Sequence, residues 1–436
     1  MTDAGLERTG ARAILSSPIS VWVAFVLVHL WLGLANLYAP GLPLGDVTLV
    51  YKFWIEQATI GQFWVGIDSV WVYPIVALVP MLAASLFGPD QYASTWLTMV
   101  MLLNAVAFGF ITGWGRARER MTVAWWWVGF LLLLGPIALG RIDSVTVPLA
   151  IVGVLLIANR PRAAAIVLAV ATWIKVWPAA LIAAAIIALR DRVRVLFTGI
   201  AVSAVIVAIV LLLGGGSNVF SFIGQQTGRG LQIEAPISTP WMWAAAAGVP
   251  GAYVYYDNAI LTFQIQGAGV EVASALMTPL LLVAVVAVAF LGVRATRAGV
   301  AAGDLFPPLA LALVTTFIAF NKVGSPQFVA WLAVPVVLGL ATSAAGFGRS
   351  FRTPAIMVLT IAALTQMIYP YLYDLLLVTH PLLVTVLTVR NLLLFVLLGW
   401  AIHAIATAIP EEDDDVLDET WLPSVWPLET PAHSKE

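Results

Sequence analysis

The 436-residue sequence has no cysteine, which excludes disulfides, thiol catalysis and thiolate-held metals. Charge is almost as scarce: Asp, Glu, Lys and Arg make up 10% of residues, against roughly 25% in a soluble domain. The formal net charge of −2 leaves no basic surface for nucleic acid. There is no Walker motif, no internal repeat, and no ladder of His or carboxylates through successive apolar runs. ATP-driven and proton-driven pumping therefore find no support. The first apolar run is followed by no small-residue cleavage site and reads as retained rather than as a signal peptide.

What the chain does have is apolar surface, 61% of its residues being hydrophobic. Runs of about 20 apolar residues recur, the length that crosses a bilayer as a helix. This predicts an all-α polytopic membrane protein of about twelve spans. They are expected near 18–38, 72–88, 94–114, 121–139, 143–159, 163–189, 195–213, 269–293, 304–320, 327–346, 354–376 and 386–408. The 163–189 run is interrupted by Lys175 and Pro178, so it is either one broken helix or two short ones.

Residues 1–408 then form a single transmembrane domain with two long loops on one side, 40–70 and 214–268. The acidic stretch 409–436 reads as a disordered cytoplasmic tail. The positive-inside rule assigns Arg8, Arg12, Arg190–Arg194, Arg294, Arg297, Arg349 and Arg352 to the cytoplasm, with both termini, and the long loops to the outside. Two clusters fall outside against that rule, Arg116-Ala117-Arg118-Glu119-Arg120 and Arg160-Pro161-Arg162.

Polar residues inside or beside apolar spans cost about 3 kcal/mol each on insertion scales, so they are functional suspects. The first loop opens on Gly45-Asp46, after which Val47, Val50, Phe53 and Trp54 recur at helical spacing with Lys52 and Glu56 on another face. That pattern predicts a short interfacial helix with Asp46 at its N-terminal end, where Asp46 is either a simple cap or a working carboxylate. Gly140-Arg141-Ile142-Asp143 follows between two spans and reads either as a local Arg–Asp pair or as part of a site. Lys175, flanked by Trp173 and Trp177, either snorkels from a helix break or meets a phosphate. Gly228-Arg229-Gly230-Leu231-Gln232-Ile233-Glu234 and Asn321-Lys322-Val323-Gly324-Ser325-Pro326-Gln327 complete the set. One carboxylate and the cations Lys175, Arg229 and Lys322 on one face suit a lipid-linked phosphate substrate.

In this order, with Tyr51, Trp54, Tyr73-Pro74, Tyr369-Pro370 and Arg390-Asn391, the stretches resemble the GT-C glycosyltransferases of glycosyltransferase family 87, the polyprenyl-phosphate-mannose-dependent α-mannosyltransferases. The similarity runs over about residues 18–408. The resemblance implies a GT-C bundle and inverting transfer of mannose from polyprenyl-phosphate mannose to a glycolipid hydroxyl, of phosphatidylinositol mannoside or lipoglycan type, on the outer face of the plasma membrane. It makes Asp46 the general base and Lys175, Arg229 and Lys322 the cations at the departing phosphate. Tyr51, Trp54, Gln232, Glu234 and His380 become sugar or acceptor contacts, with Arg141, Asp143 and Arg390 as further candidates. No cofactor is implied, and since Asp46 has no acidic neighbour in sequence, nothing supports a bound divalent metal. Two alternatives stay open: a GT-C enzyme for another polyprenyl-linked sugar such as arabinofuranose, and a flippase or transporter of lipid-linked sugars in which Asp46 only caps its helix.

Overall fold

The computed structural model describes residues 17–225 and 229–410. Arg8, Arg12, Gly228 and the acidic stretch from Glu411 onward therefore lie outside the described residues. Among those described, nine helices are long and apolar enough to cross a membrane, which makes the chain an all-α polytopic membrane protein. Their cores are α1 (Pro18–Tyr38), α4 (Tyr92–Thr112), α5 (Met121–Leu134), α9 (Arg192–Leu212), α11 (Val270–Arg297), α12 (Ala302–Ala319), α13 (Ala333–Ala344, led in by Pro326–Leu332), α14 (Arg352–Gln366) and α15 (Pro381–Ala406). Between them stand the shorter apolar helices α3 (Leu78–Ala84), α6 (Asp143–Leu156), α7 (Pro161–Ile174) and α8 (Ala179–Ala188).

The run expected over 163–189 is two helices. The chain leaves α7 at Lys175 in extended backbone (φ −153°, ψ 137°), and Pro178 opens the next helix. Proline biases its predecessor away from helix and has no N–H to give the preceding turn, so the break is local chemistry.

Side-chain contacts sort the helix ends onto two ends of the bundle. At the first, Trp96 at the start of α4 lies against Tyr51 and donates to the Leu139 carbonyl, and Lys175 meets Asp143. At the other, Phe108 near the end of α4 stacks on Phe25 of α1, Trp126 of α5 donates to Ala355 O, and Thr296 donates to Ile187 O. The helix α4 thus starts where α1 ends, and everything from Tyr38 to Tyr92 stays at the first end.

The span expected at 72–88 is accordingly absent. Its helical part, Ile75–Ala84, does not carry the chain to the second end, because Tyr92 at the head of α4 folds back to donate to Met81 O. Removing that span puts Arg116–Arg120 and Arg160–Arg162 at the second end. Arg190–Arg194, Arg294, Arg297, Arg349 and Arg352 lie there as well. The conflict in the arginine distribution came from one run that turns back instead of crossing and one that is two helices.

The first loop is helical as expected, but it buries a different face. A wide π-turn over Asp46–Tyr51 runs into α2 (Lys52–Thr59). Val47, Tyr51, Ile55 and Ala58 are buried, while Phe53 is 48% exposed and Val50 and Trp54 are only partly covered. Steps of four, four and three select the face that sets Tyr51 against Trp96 and the Ile142 backbone.

The second loop holds a short helix α10 (Thr239–Ala246) and an antiparallel hairpin, β1 (Tyr253–Asp257) with β2 (Thr262–Gln266), paired Val254 to Ile265. The hairpin was not expected. Its β2 edge binds Leu231–Ile233 through Ile233 N to Phe263 O (3.2 Å) and Ile265 N to Leu231 O (3.0 Å). A small core of Leu231, Ile233, Ile265, Ile368 and Leu387 backs it.

Candidate functional site

Asp46 makes no side-chain capping bond at its helix. Its Oδ2 lies 3.1 Å from Nε of Arg141, and its side chain is 39% exposed against 9% for the arginine. Three more N–H groups of Arg141 are committed, one on Nη2 to the Tyr369 hydroxyl at 2.8 Å and both on Nη1 to the carbonyls of Gly140 and Pro43. The guanidinium thus ties the first loop, the 140 turn and the Tyr369 segment together and holds one carboxylate oxygen of Asp46. Gly140 is required for this approach, because a Cβ there would meet Pro43 O at 2.7 Å. The local Arg141–Asp143 pair is not formed.

Asp143 turns instead to Lys175, Oδ2 to Nζ 2.7 Å, and accepts from Trp331 Nε1 at 2.6 Å. The Lys175 ammonium also lies over the rings of Tyr73, Phe328 and Trp331, at 5.6, 5.1 and 5.8 Å.

Tyr73 sits between these pairs. Its hydroxyl is 3.4 Å from that of Tyr51, which also accepts from Ile142 N. Burial raises the Tyr73 pKa above the usual tyrosine value, as does the charge of Asp46 and that of Asp143, while Arg229 opposes them. Tyr51 is 1% exposed, so its ring is packing rather than a free sugar platform. Trp54 stacks on Tyr51 and meets Trp71 and Tyr73 edge-on.

The second loop supplies the remaining groups. Gln232 N donates to Lys322 O at 3.0 Å, and Gln232 Oε1 accepts from Gly324 N and the Ser325 hydroxyl. These bonds lay Arg229–Glu234 across the Asn321–Ser325 turn, whose shape comes from Asn321 Oδ1 accepting from Val323 N. Burial lowers the pKa of both Arg229 and Lys322, and the Arg229 charge lowers Lys322 further. Arg229 Nε is buried without a partner. The Arg229 guanidinium, with its Nε unpartnered and the Lys322 charge near it, is a place where an anion is favoured.

Glu234 is 2% exposed. It accepts from the Tyr373 hydroxyl at 2.7 Å, while Arg390 donates to its main-chain carbonyl at 3.2 Å. Burial raises its carboxyl pKa. It is a buried carboxyl on the same segment as Arg229. His380 is exposed and caps α15, accepting from Leu382 N through Nδ1. Among the described residues, no contact joins it to the Asp46 network.

Tyr73 and Tyr369 are the members of the site that sequence reasoning did not assign. Both are aromatic residues immediately before proline, at the ends of apolar runs, and that pairing was the available signal. Among the described residues no group of three His or carboxylate side chains is arranged to hold a metal. A groove of about 650 Å³ on the lipid side of α4, lined by Leu86, Phe87, Met99 and Leu102, does not reach Asp46.

Comparison with known families matches residues 71–306, more than half of the chain, to the model of glycosyltransferase family 87. That stretch contains Tyr73, Arg141, Asp143, Lys175, Arg229 and Glu234, whereas Asp46, Lys322, Tyr369 and Arg390 lie outside it. No curated protein and no solved structure matches the chain.

Proposed function

The chain belongs to glycosyltransferase family 87, and from that premise we propose that it transfers mannose, with inversion, from polyprenyl-phosphate mannose to a hydroxyl of a glycolipid of phosphatidylinositol mannoside or lipoglycan type. The observation that carries this reading is the network that runs from an accessible carboxylate, Asp46, through Arg141, Tyr369 and Tyr373 to Glu234, on the segment that bears Arg229 and is bonded across the Lys322 turn.

The chemistry is a single displacement. The free oxygen of Asp46 takes the acceptor's hydroxyl proton, and the acceptor oxygen bonds to the anomeric carbon as the carbon–oxygen bond to phosphate breaks. Polyprenyl phosphate leaves with the electron pair. The leaving phosphate gains charge in the transition state, so Arg229 and Lys322 stabilise that state more than the ground state. Arg141 holds Asp46, and four of its five N–H groups go to Asp46, Tyr369, Gly140 and Pro43. The direct test is purified protein in lipid, given polyprenyl-phosphate mannose and a mannosylated lipid acceptor. An acceptor extended by one mannose is expected; transport of the donor with no bond cleavage would refute the reading.

Lys322 predicts the alkaline side of the pH profile. Only the protonated amine attracts phosphate, and burial beside Arg229 places its pKa below the ordinary lysine value of 10.5. Donor kcat/KM therefore falls as pH rises through that lowered value. Lys322→Arg, whose charge persists to higher pH, carries the fall upward. An unchanged alkaline limb in Lys322→Arg would remove Lys322 from donor binding.

In this reading the three shorter helices α6, α7 and α8 join the nine long ones to make twelve crossings of GT-C type, with the site end outside and the arginine-rich end in the cytoplasm. Native cysteine is absent, so single cysteines report sidedness directly. At Thr48 and Asn258 they are expected to react with a membrane-impermeant thiol reagent on intact cells. At Glu119 and Phe347 they are expected to react only after permeabilisation. Labelling of Glu119→Cys from outside would reinstate the 72–88 crossing and dismantle this topology.

A further inference from the structure

We propose that Lys175 and Asp143 form a positioning pair, which holds Tyr73 and Trp331 as one wall of the site and lends no cation to the donor phosphate. The proposal rests on the transfer reading above for what is being positioned, but the pair itself stands on geometry.

Asp143 is 1% exposed, and both its oxygens are taken, Oδ2 by Lys175 Nζ at 2.7 Å and Oδ1 by Trp331 Nε1 at 2.6 Å. The lysine arrives at a helix break, so its direction is set by the extended backbone at 175 and by Pro178 two residues after Val176 has turned away. Its ammonium then sits among three aromatic faces, Tyr73, Phe328 and Trp331, all within 6 Å. Behind them, Trp331 stacks on Trp177 at 5.4 Å, and Trp177 Nε1 donates to Thr146 of α6.

A phosphate ligand needs a cation with donors facing the ligand. Here the strongest partner of Lys175 is a buried carboxylate, and the rest of its surroundings are ring faces. The charge is neutralised where it stands, and it contributes rigidity. The shape of the Tyr73 wall is what the pair fixes, and the Tyr73 hydroxyl in turn meets Tyr51 at 3.4 Å, one turn beyond Asp46. In this arrangement Arg229 and Lys322 carry the phosphate, and Lys175 acts through Tyr73.

The two roles predict opposite signs for one variant. If Lys175 met the phosphate, Asp143→Asn would remove a competing negative charge and tighten binding of polyprenyl phosphate, while Lys175→Met would weaken it. If the pair positions Tyr73, neither variant changes that affinity by more than about twofold, and each lowers kcat about 10-fold or more. The double variant then falls no further than the worse single one, because the two side chains act as a unit. Asparagine still offers Trp331 an acceptor, so Asp143→Asn is expected to remain folded.

The experiment is this cycle of four full-length proteins in lipid, read by kcat, donor KM, polyprenyl phosphate affinity and unfolding midpoint. Additive losses in kcat, tighter polyprenyl phosphate binding in Asp143→Asn, or unchanged kcat in both single variants would each overturn the proposal. Wild-type protein that transfers no polyprenyl-linked sugar would refute the functional reading instead. The unfolding midpoints would still decide the pair, coupled shifts retaining it and additive ones removing it.

Discussion

Asp46→Asn is expected to leave a folded protein that binds its lipid donor and transfers almost nothing. The carboxamide is nearly isosteric with the carboxylate but cannot take the acceptor's proton. General-base catalysis contributes about 10²–10⁴-fold, which sets the expected loss in kcat. The fold survives because Arg141 keeps its bonds to Tyr369, Gly140 and Pro43 when the Asp46 charge is gone. The ion pair itself adds little to stability, since Asp46 is more than a third exposed.

Asp46→Glu provides a sharper control. It retains the charge but moves the oxygens by about 1 Å, and displacement on that scale can cost about 10²-fold in a positioned reaction. A base requires both variants to fail in kcat with donor affinity preserved. A helix cap predicts near-normal turnover in both and a modest loss of stability, of order 1 kcal/mol. Turnover within a few-fold of wild type in Asp46→Asn would end the assignment.

Much of the architecture was legible because membrane spans are written in composition. Apolar runs of the right length had to be helices, since no other open structure satisfies its backbone in lipid. The polar islands were legible for the same reason, as exceptions to it. What was not legible was partnership. Arg141 and Asp143 are two residues apart, yet one turns to Asp46 and the other to Lys175 on different helices. Nothing in the local spacing chooses between those pairings and a pair with each other.

The 72–88 run misled by hydropathy alone. Its apolar residues cover a short helix from which the chain turns back, and only the return of Tyr92 to Met81 reveals it. The hairpin escaped notice because the alternation in Tyr-Val-Tyr-Tyr-Asp is short and aromatic on both faces, a weak strand signal beside strong helix signals. Tyr51 was read as a sugar contact from its place near Asp46, while packing buries it. The basic clusters near helix ends were consistent with one another all along, and which runs cross was what had to change.

Gly324→Ala is expected to be the most damaging single methyl group in the candidate site. The glycine lies where the Arg229–Glu234 segment crosses the Asn321–Ser325 turn. A Cβ there would stand 2.2 Å from Ala235 N, 2.4 Å from Ala235 Cα and 2.4 Å from the Glu234 carbonyl carbon. All three are backbone atoms, so no rotamer change relieves the clash, and the two segments must separate. Overpacking into side chains costs about 1–3 kcal/mol, and main chain yields less readily. The bonds lost first are those that register the crossing, Gly324 N to Gln232 Oε1 and Gln232 N to Lys322 O. Arg229 and Lys322 sit on opposite members of that crossing, so an opening of about 1 Å spoils the shared anion site and takes roughly 10²-fold from transfer. Donor affinity should fall with it, which separates this variant from Asp46→Asn, where binding persists. Gly33→Ala in α1, with open space at its Cβ, is the matched control and should be neutral or slightly stabilising. If Gly324→Ala binds polyprenyl phosphate and transfers mannose as well as Gly33→Ala does, the crossing does not set the cation pair, and the phosphate must be held elsewhere.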